Sequence, residues 1–437
     1  MIKTILPLCS IISLRFLGLF LVLPVISVYA MNLKGANTTL VGVVIGGYAL
    51  TQMLFQLPFG ILSDKMGRKG TIIMGLLLFA IGSVICALSV DILALMVGRF
   101  LQGAGAIGAV VTAMISDLVQ EEKRPKAMAF MGGSIAASFA ISMLFGPIIG
   151  AYAGVASLFW ITAFLALSSI YIIVKKVPNP PVITHTYTNS LKIMPILKDA
   201  NLVKMNITNF LQKGLMTFAF MIIPMVLLKE FHWEIKELYK VYVPAMIFGV
   251  FAMAPAAILA EKKGKFKEVL IIGIVLFALS YLILGFSTTD IAFVIGVVLF
   301  FIGFNMHEPI MQSLASRFAK VHQRGMVLGL FNSFGYLGTF LGGLVGGIFF
   351  NSASLSDIVT AIAVVCVFWL ILIFSMPNPM KKQVVYIPID EIKRDETAKL
   401  HDNEAIDEWY INENEKLLIV KYDTNKTTQE EIVAFLK

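Results

Sequence analysis

Apolar residues in this chain form long, unbroken blocks that are separated by short charged segments. A block of about 20 residues matches the length that a helix needs to cross the hydrocarbon core of a bilayer. The blocks lack the alternation of apolar and polar positions that marks a strand of a membrane barrel. The pattern therefore predicts twelve membrane-spanning helices, which we number 1–12. They occupy 5–30, 38–62, 70–90, 92–119, 126–151, 155–177, 201–229, 237–260, 268–287, 290–317, 323–349 and 355–376.

The blocks fall into two groups of six that repeat each other. The longest connector, at 178–200, begins with three prolines in four positions and separates the groups. An acid, a glycine and a base follow the second block, and the same order follows the eighth block 197 residues later. Such a six-plus-six repeat predicts a solute site near the middle of the membrane, with one group rocking against the other. The two sets are Asp64, Gly67 and Arg68, and Glu261, Gly264 and Lys265.

The pattern changes sharply after Pro379. Strand-like segments are expected at 384–389, 405–411 and 417–422, with a charged helical stretch at 390–402. A last helix is expected after Thr427 and Thr428, which start a capping box with the acids that follow. The chain is therefore predicted to be an all-α polytopic membrane protein with a small α+β domain at its C-terminus. Its predicted parts are a six-helix bundle at 1–177, a cytoplasmic linker at 178–200, a second bundle at 201–379 and a soluble domain at 380–437.

Composition and charge agree with a chain in lipid. Hydrophobic residues make up 58% and charged residues 14% of the chain, whereas soluble proteins average about 25% charged residues. The net charge of +8 divides into −4 after residue 379 and +12 before it. One alternate set of connectors holds twenty Lys and Arg residues and the other set holds four. This bias predicts that both termini are cytoplasmic, in a multi-pass protein of the inner cell membrane.

Several classes of function are not supported by the residues. The three cysteines lie within apolar blocks without pair spacing, so neither a disulfide nor a metal site is expected. There is no nucleophile–base pair or phosphate-binding loop that indicates an enzyme. No basic segment is interleaved with aromatic residues as a nucleic-acid site requires. Arg15 interrupts the first block, which argues against a signal peptide.

Charged residues within the predicted helices mark candidate functional positions, because burying a charge in lipid is costly. They are Arg15, Arg99, Lys213 and Glu308, in helices 1, 4, 7 and 10. Glu308 is the only carboxylate well inside a predicted helix, and it can carry a proton across the membrane with Lys213 as its partner. The alternative is a structural ion pair. The polar neighbours expected around these charges are Gln52, Gln56, Gln102, Asn305, His307 and Gln312.

Several short motifs resemble those of the major facilitator superfamily. Residues 60–69 resemble its signature loop, with Gly60, Asp64, Gly67, Arg68 and Lys69 at the expected places. The segments Leu17-Gly18, Pro24-Val25 and 99–105 resemble motifs of its twelve-helix drug/proton antiporters. Helix 5 resembles the antiporter motif, although Ala151, Ser142 and, in helix 1, Ser27 depart from the pattern. The antiporter-motif positions are Gly146, Pro147 and Gly150.

The resemblance implies roles for these residues. It places Asp64 at the N-terminal end of helix 11, pairs Arg68 with Asp117 at the cytoplasmic end of helix 4, and makes these contacts a conformational latch. A carboxylate is favoured at the N-terminus of a helix, and an Arg–Asp pair is strong where its geometry holds. The alternative is that these charges only orient the helices. For Arg99, the resemblance implies a part in proton transfer, and the alternative is extension toward the membrane surface.

The predicted function is a proton-coupled efflux antiporter for small organic solutes, working by alternating access. It needs no cofactor besides the proton gradient, and its partners are a small-molecule substrate and the lipid bilayer; a monomer is expected. A proton symporter or facilitator for a metabolite, and a membrane sensor without transport, remain as alternatives. The C-terminal appendage resembles the ferredoxin-like module of YajR-type members of the superfamily. It lacks the Cys-x-x-Cys of heavy-metal-associated domains, so no metal is expected there.

Overall fold

A computed structural model describes residues 2–178, 193–319, 324–350, 354–377, 382–392, 400, 403, 405–412, 415–423 and 426–436. Twelve helices in these ranges are long and apolar enough to cross a membrane, as predicted. The helices are α1 (Ile2–Leu21), α2 (Ile26–Met31), α3 (Thr38–Met66), α4 (Arg68–Leu88), α5 (Ile92–Ala104), α6 (Gly108–Leu118), α7 (Arg124–Ala153), α8 (Val155–Lys176), α9 (Ile193–Lys198), α10 (Ala200–Lys229), α11 (Tyr239–Ala257), α12 (Phe266–Phe286), α13 (Asp290–Phe318), α14 (Arg324–Phe349), α15 (Leu355–Phe374) and α16 (Gln429–Leu436).

The membrane spans keep the numbers 1–12 given to the predicted helices. Span 1 consists of α1 with α2, and span 4 consists of α5 and α6, joined by a short break. Span 8 is α11 with a 3-10 turn before it and a π-helical segment, Ile258–Lys262, after it. Spans 2, 3, 5, 6, 7, 9, 10, 11 and 12 are α3, α4, α7, α8, α10, α12, α13, α14 and α15.

Local sequence sets where the spans begin and reverse. The side chains of Asn37, Asp91 and Asp199 accept hydrogen bonds from the first-turn amides of spans 2, 4 and 7. Gly67 and Gly154 separate consecutive helices with φ of 88° and 78°. A side chain is disfavoured at such φ values, so glycine is needed where the chain turns back without a loop.

The two groups of six spans meet at one end and separate at the other. Away from the C-terminal domain, spans 2 and 11 approach so closely that a Cβ on Gly42 would meet the carbonyl oxygen of Gly343. Toward the domain, a Cβ on Gly60 or Gly329, in the same two spans, would have no heavy atom within 4 Å. We call these ends the opposite side and the domain side. The molecule is therefore closed on the opposite side and open on the domain side.

The C-terminal domain is built on a three-stranded antiparallel sheet. Strands β1 (Lys382–Pro388), β2 (Ile406–Asn412) and β3 (Leu417–Asp423) have the order β1-β3-β2, and α16 packs Ile432 and Leu436 against them. Thr428 and Glu431 exchange the two hydrogen bonds of a capping box at the start of α16. The three predicted strands and the last helix are present. The predicted helix at 390–402 falls mostly outside the described residues, and its first two residues belong to the short 3-10 turn Ile389–Glu391.

Candidate functional site

An ion pair joins spans 7 and 10 in the middle of the molecule. The ammonium group of Lys213 donates to both carboxylate oxygens of Glu308, at 2.9 and 2.8 Å. The Gln212 side chain also donates to Glu308, at 3.4 Å, and the Lys213 ammonium lies 5.0 Å from the centre of the Phe304 ring. The two charged side chains are 24% and 33% exposed, so they border open space rather than a sealed core.

The polar residues near Glu308 in sequence do not share its surroundings. His307 is fully buried, and its Nε2 lies 2.9 Å from the Leu270 carbonyl of span 9. The amide of Asn305 is buried and donates to the Phe301 carbonyl within its own helix. Only Gln312, one turn from Glu308 toward the domain side, is exposed. The structure therefore does not bring Asn305 and His307 together with Glu308, because neighbouring positions on a helix point to different faces.

An aromatic cluster lies beyond the ion pair on the opposite side. The ring of Phe139, in span 5, lies 5.1 Å from Phe20 of span 1, 6.3 Å from Phe220 of span 7 and 5.7 Å from Phe304 of span 10. Phe139 is 7% exposed. These rings join both groups of spans, on the opposite side of the molecule relative to Glu308. No signal in the sequence distinguishes these rings among the 33 phenylalanines of the chain.

A chain of polar contacts leads from Arg15 across the boundary between the two groups. The guanidinium of Arg15 donates to the Gln52 side chain at 3.2 Å, and Gln52 donates to the Tyr336 hydroxyl of span 11 at 2.7 Å. The guanidinium also lies 5.2 Å from the centre of the Phe79 ring. Gln52 is thus a neighbour of Arg15, as expected. Gln56 is also buried, one turn further along span 2.

Arg99 forms a separate cluster inside the first group. Its guanidinium donates to the carbonyls of Val44 and Ile45 at 3.1 and 3.4 Å, and to the Gln102 side chain at 2.8 Å. It also lies 4.6 Å from the centre of the Tyr48 ring. Gln102 is therefore a partner of Arg99 rather than of Arg15. Arg99 is fully buried, which excludes extension to the membrane surface in this conformation.

The signature loop, residues 60–69, holds a three-membered charge cluster. The Arg68 guanidinium donates to Asp117 at 3.0 Å and to Asp64 at 2.6 Å. The Asp64 side chain is 65% exposed. In this conformation Asp64 does not reach the start of span 11, because spans 2 and 11 are apart on the domain side. Gly60 and Gly67 lie in open space, and Lys69 is in the first turn of span 3.

The second group of spans has an ion pair that corresponds to Arg68–Asp117, but here the base lies on span 10 and the acid on span 8. Arg317, at the domain-side end of span 10, donates to Glu261, at the domain-side end of span 8, at 2.7 Å. The internal repeat places Glu261 at the position of Asp64, and span 10 corresponds to span 4, which carries Asp117. Arg317 was not among the predicted site residues, although the repeat was a signal that pointed to the end of span 10.

The motif in span 5 makes close packing with span 1. A Cβ on Gly146 would meet the Leu21 carbonyl oxygen, and one on Gly150 would lie 3.4 Å from the Val25 side chain. Pro147 lies inside the same helix, α7. These residues let span 5 approach span 1, whose helix is interrupted between α1 and α2.

Sequence comparisons show the family of this chain, and a solved structure has a similar fold. A sequence model described as Major Facilitator Superfamily matches residues 8–267 and 205–394. The inner membrane transport protein YajR of Escherichia coli (strain K12) is 37% identical over 432 residues, or 97% of this chain and 94% of that protein. The quinolone resistance protein NorA of Staphylococcus aureus (strain MRSA252) is 28% identical, covering 81% and 91%. A crystal structure of a D-xylose–proton symporter has a TM-score of 0.72 at 15% identity, covering 86% and 98%.

Proposed function

The chain belongs to the Major Facilitator Superfamily and is a multi-pass membrane transporter, and on this premise we propose that it is a proton-coupled efflux antiporter for small organic solutes. We propose that it resides in the inner membrane with both termini in the cytoplasm. The moving bodies are then residues 1–177 and 201–379, joined by the linker 178–200, and the soluble domain is 380–437. The similarity to a quinolone resistance protein supports outward transport of an organic solute.

The observation that carries the proposal is the ion pair between Lys213 and Glu308. Among the described spans, Glu308 is the only carboxylate away from the helix ends. Its exposed fraction of 33% allows protons to reach it, while the aromatic cluster around Phe139 lies on its other side. We assign this arrangement, with the carboxylate 2.8 Å from the ammonium group, to the stage of the cycle after a proton has left Glu308.

In an alternating-access cycle, the observed conformation corresponds to the step at which Glu308 has released its proton. With both termini cytoplasmic, the domain side is the cytoplasmic side, and the observed conformation is open to the cytoplasm. Glu308 then releases its proton to the cytoplasm before the solute binds in the same cavity. After the spans rock, the solute leaves on the other side and Glu308 takes up the next proton. The cycle thus exchanges an inward proton for an outward solute.

We propose that the signature loop stabilises the second conformation of the cycle, in which the domain side is closed. Arg68 already contacts Asp117, but Asp64 is exposed and has not reached span 11. Closing the domain side would bring Asp64 to the N-terminus of span 11, where a negative charge is favoured. The loop would therefore act as a latch for the conformation that is closed to the cytoplasm.

The test uses everted membrane vesicles, whose outer face is the cytoplasmic face of the membrane, with the fluoroquinolone norfloxacin as a fluorescent probe. We expect an acidic lumen to drive accumulation of the probe and the probe to discharge the pH gradient. A symporter would instead require an acidic exterior. Absence of probe flux under both gradients, in vesicles that contain correctly inserted protein, would contradict the proposal for this class of solute and favour the sensor hypothesis.

A further inference from the structure

The C-terminal domain contacts the end of span 10 through one buried lysine. The ammonium group of Lys421, on β3, donates to the carbonyls of Arg317 and Ala319 at 3.1 and 2.7 Å. These carbonyls belong to the last turn of span 10 and the residue that follows it. The last carbonyls of a helix lack partners within the helix and attract a positive charge. Lys421 is only 6% exposed, so this lysine is buried in the contact between the domain and the helix end.

The same domain contacts the first group of spans through an ion pair. The carboxylate of Glu415, in the turn before β3, lies 3.3 Å from the Arg124 guanidinium at the start of span 5. The Arg124 Nε also donates to the carbonyls of Ser116 and Val119 at 3.1 and 3.2 Å. Arg124 thus caps the end of span 4 through its Nε, while its Nη2 pairs with the domain.

The two docking points are equivalent in the six-plus-six repeat. The end of span 4 in the first group corresponds to the end of span 10 in the second group. Each end also carries an ion pair, Arg68–Asp117 at span 4 and Arg317–Glu261 at span 10. At span 4 the capping cation belongs to the membrane part, whereas at span 10 the domain supplies it as Lys421. The domain therefore binds both moving bodies at corresponding positions.

The short chain segment between the two contact residues of the domain limits the spacing of the contacts. Glu415 and Lys421 are six residues apart, which limits their separation to about 20 Å at the rise of an extended strand. β3 is the central strand and pairs with both β1 and β2, so the sheet holds Lys421 in place, and Glu415 lies in the turn only two residues before this strand begins. Rocking of the two groups, in contrast, must change the distance between the ends of spans 4 and 10.

We propose that the C-terminal domain is a spacer that docks on both groups of spans and stabilises the conformation open on the domain side. Both contacts form together in that conformation. Closing the domain side moves the two helix ends relative to each other, so at least one contact must break. The domain would thereby regulate how often the transporter leaves this state.

The test measures the distance across the domain side without a solute or a proton gradient. Spin labels are attached at Met66→Cys and Lys263→Cys, two exposed positions at the domain-side ends of spans 2 and 8. The distances between the labels are recorded by pulsed electron paramagnetic resonance in nanodiscs. The native cysteines are buried, so the label should react with the introduced cysteines. We expect the full chain to show mainly the long distance, and deletion of 380–437 to increase the short-distance population.

Point variants separate the two contacts. Removing one ion pair or charge-assisted hydrogen bond should raise the ratio of short to long distances about twofold to fivefold for Glu415→Gln and about tenfold for Lys421→Met. Arg124→Gln tests the Glu415 contact without altering the domain, and its effect should not add to that of Glu415→Gln. Lys421→Arg keeps the positive charge and should behave as the unmodified chain.

Glu430→Gln is the matched control, since Glu430 is an exposed acid of the same domain on α16. An unchanged distance distribution after deletion of the domain would overturn the proposal. A shift toward longer distances in Glu415→Gln or Arg124→Gln would overturn it as well. Because no transport is measured, the result does not depend on whether Glu308 couples protons to a solute.

Discussion

The side-chain amide of Gln52 donates a hydrogen bond of 2.7 Å to the hydroxyl of Tyr336, and this bond joins span 2 to span 11 across the boundary between the two groups. Gln52 in turn accepts from the buried guanidinium of Arg15 at 3.2 Å. A buried charge in the first group is thus connected to the second group by two hydrogen bonds. The glycine contacts of the same spans, between Gly42 and Gly343, lie further toward the opposite side.

Tyr336→Phe is expected to shift the conformational equilibrium. The substitution removes the hydroxyl that Gln52 binds and keeps the ring, and a typical hydrogen bond contributes about 0.5–1.5 kcal/mol. If the bond breaks when the spans rock, the observed conformation should lose about two- to tenfold in population. The spin-label pair at positions 66 and 263 measures this ratio. Tyr171→Phe, at an exposed site in span 6, is the control, and equal distributions in both variants would show that the bond persists in the other state.

Glu308→Gln is expected to abolish proton-driven exchange. A glutamine has the size of the glutamate and cannot release a proton, so an acidic vesicle lumen should no longer drive norfloxacin uptake. Exchange of probe for probe, which needs no net proton movement, should continue. Glu230→Gln, an exposed acid after span 7, should keep the coupled transport. Proton-driven uptake by Glu308→Gln with an unchanged pH dependence would assign the proton to another residue.

The sequence was sufficient for the elements and the pairing of the rare charges, but not for the faces on which residues lie. The twelve spans follow from block length, because lipid demands about 20 apolar residues per helix. Lys213 and Glu308 were expected as partners, since they are opposite charges in the middle of spans 7 and 10. His307 faces span 9 rather than Glu308, because adjacent residues on a helix are about 100° apart, and only packing decides which side faces the cavity.

Other parts of the site depended on the conformation and on contacts distant in sequence. The motif of residues 60–69 predicted charges that interact, but a motif does not specify which state of a moving protein is observed. Asp64 is therefore exposed here, while Arg68 has its partner Asp117. The contact of Lys421 with the end of span 10 joins residues more than a hundred positions apart, and no periodicity or spacing in the sequence predicts it.

Gly343→Ala is expected to weaken the closure of the opposite side. A methyl group there would lie 2.6 Å from the Gly42 carbonyl oxygen and 3.1 Å from the Gly46 amide nitrogen, so the backbones of spans 2 and 11 must separate. Overpacking of this kind costs about 1–3 kcal/mol. We expect a larger short-distance population of the labels at 66 and 263, because the domain side closes when the opposite side opens.

Gly329→Ala provides the matched control in the same helix. A methyl group at this position meets no heavy atom within 4 Å in the observed conformation. Replacing glycine by alanine inside a helix stabilises it by up to about 1 kcal/mol, so the melting temperature should rise slightly or stay constant. If Gly343→Ala and Gly329→Ala gave the same distance distribution, the contact between spans 2 and 11 would not determine closure.

Asp64→Asn is expected to separate stability from transport. In the observed conformation Asp64 interacts with Arg68 at an exposed site, and such pairs contribute about 0–1 kcal/mol. Membrane insertion and the melting temperature in detergent should therefore stay close to those of the unmodified chain. Transport should fall, because the state closed on the domain side would lose the negative charge at the start of span 11. Asp390→Asn, an exposed acid of the C-terminal domain, controls for the loss of one charge. Normal transport by Asp64→Asn would reject the latch, whereas loss of both transport and folding would assign Asp64 a structural role that its exposure in this conformation does not explain.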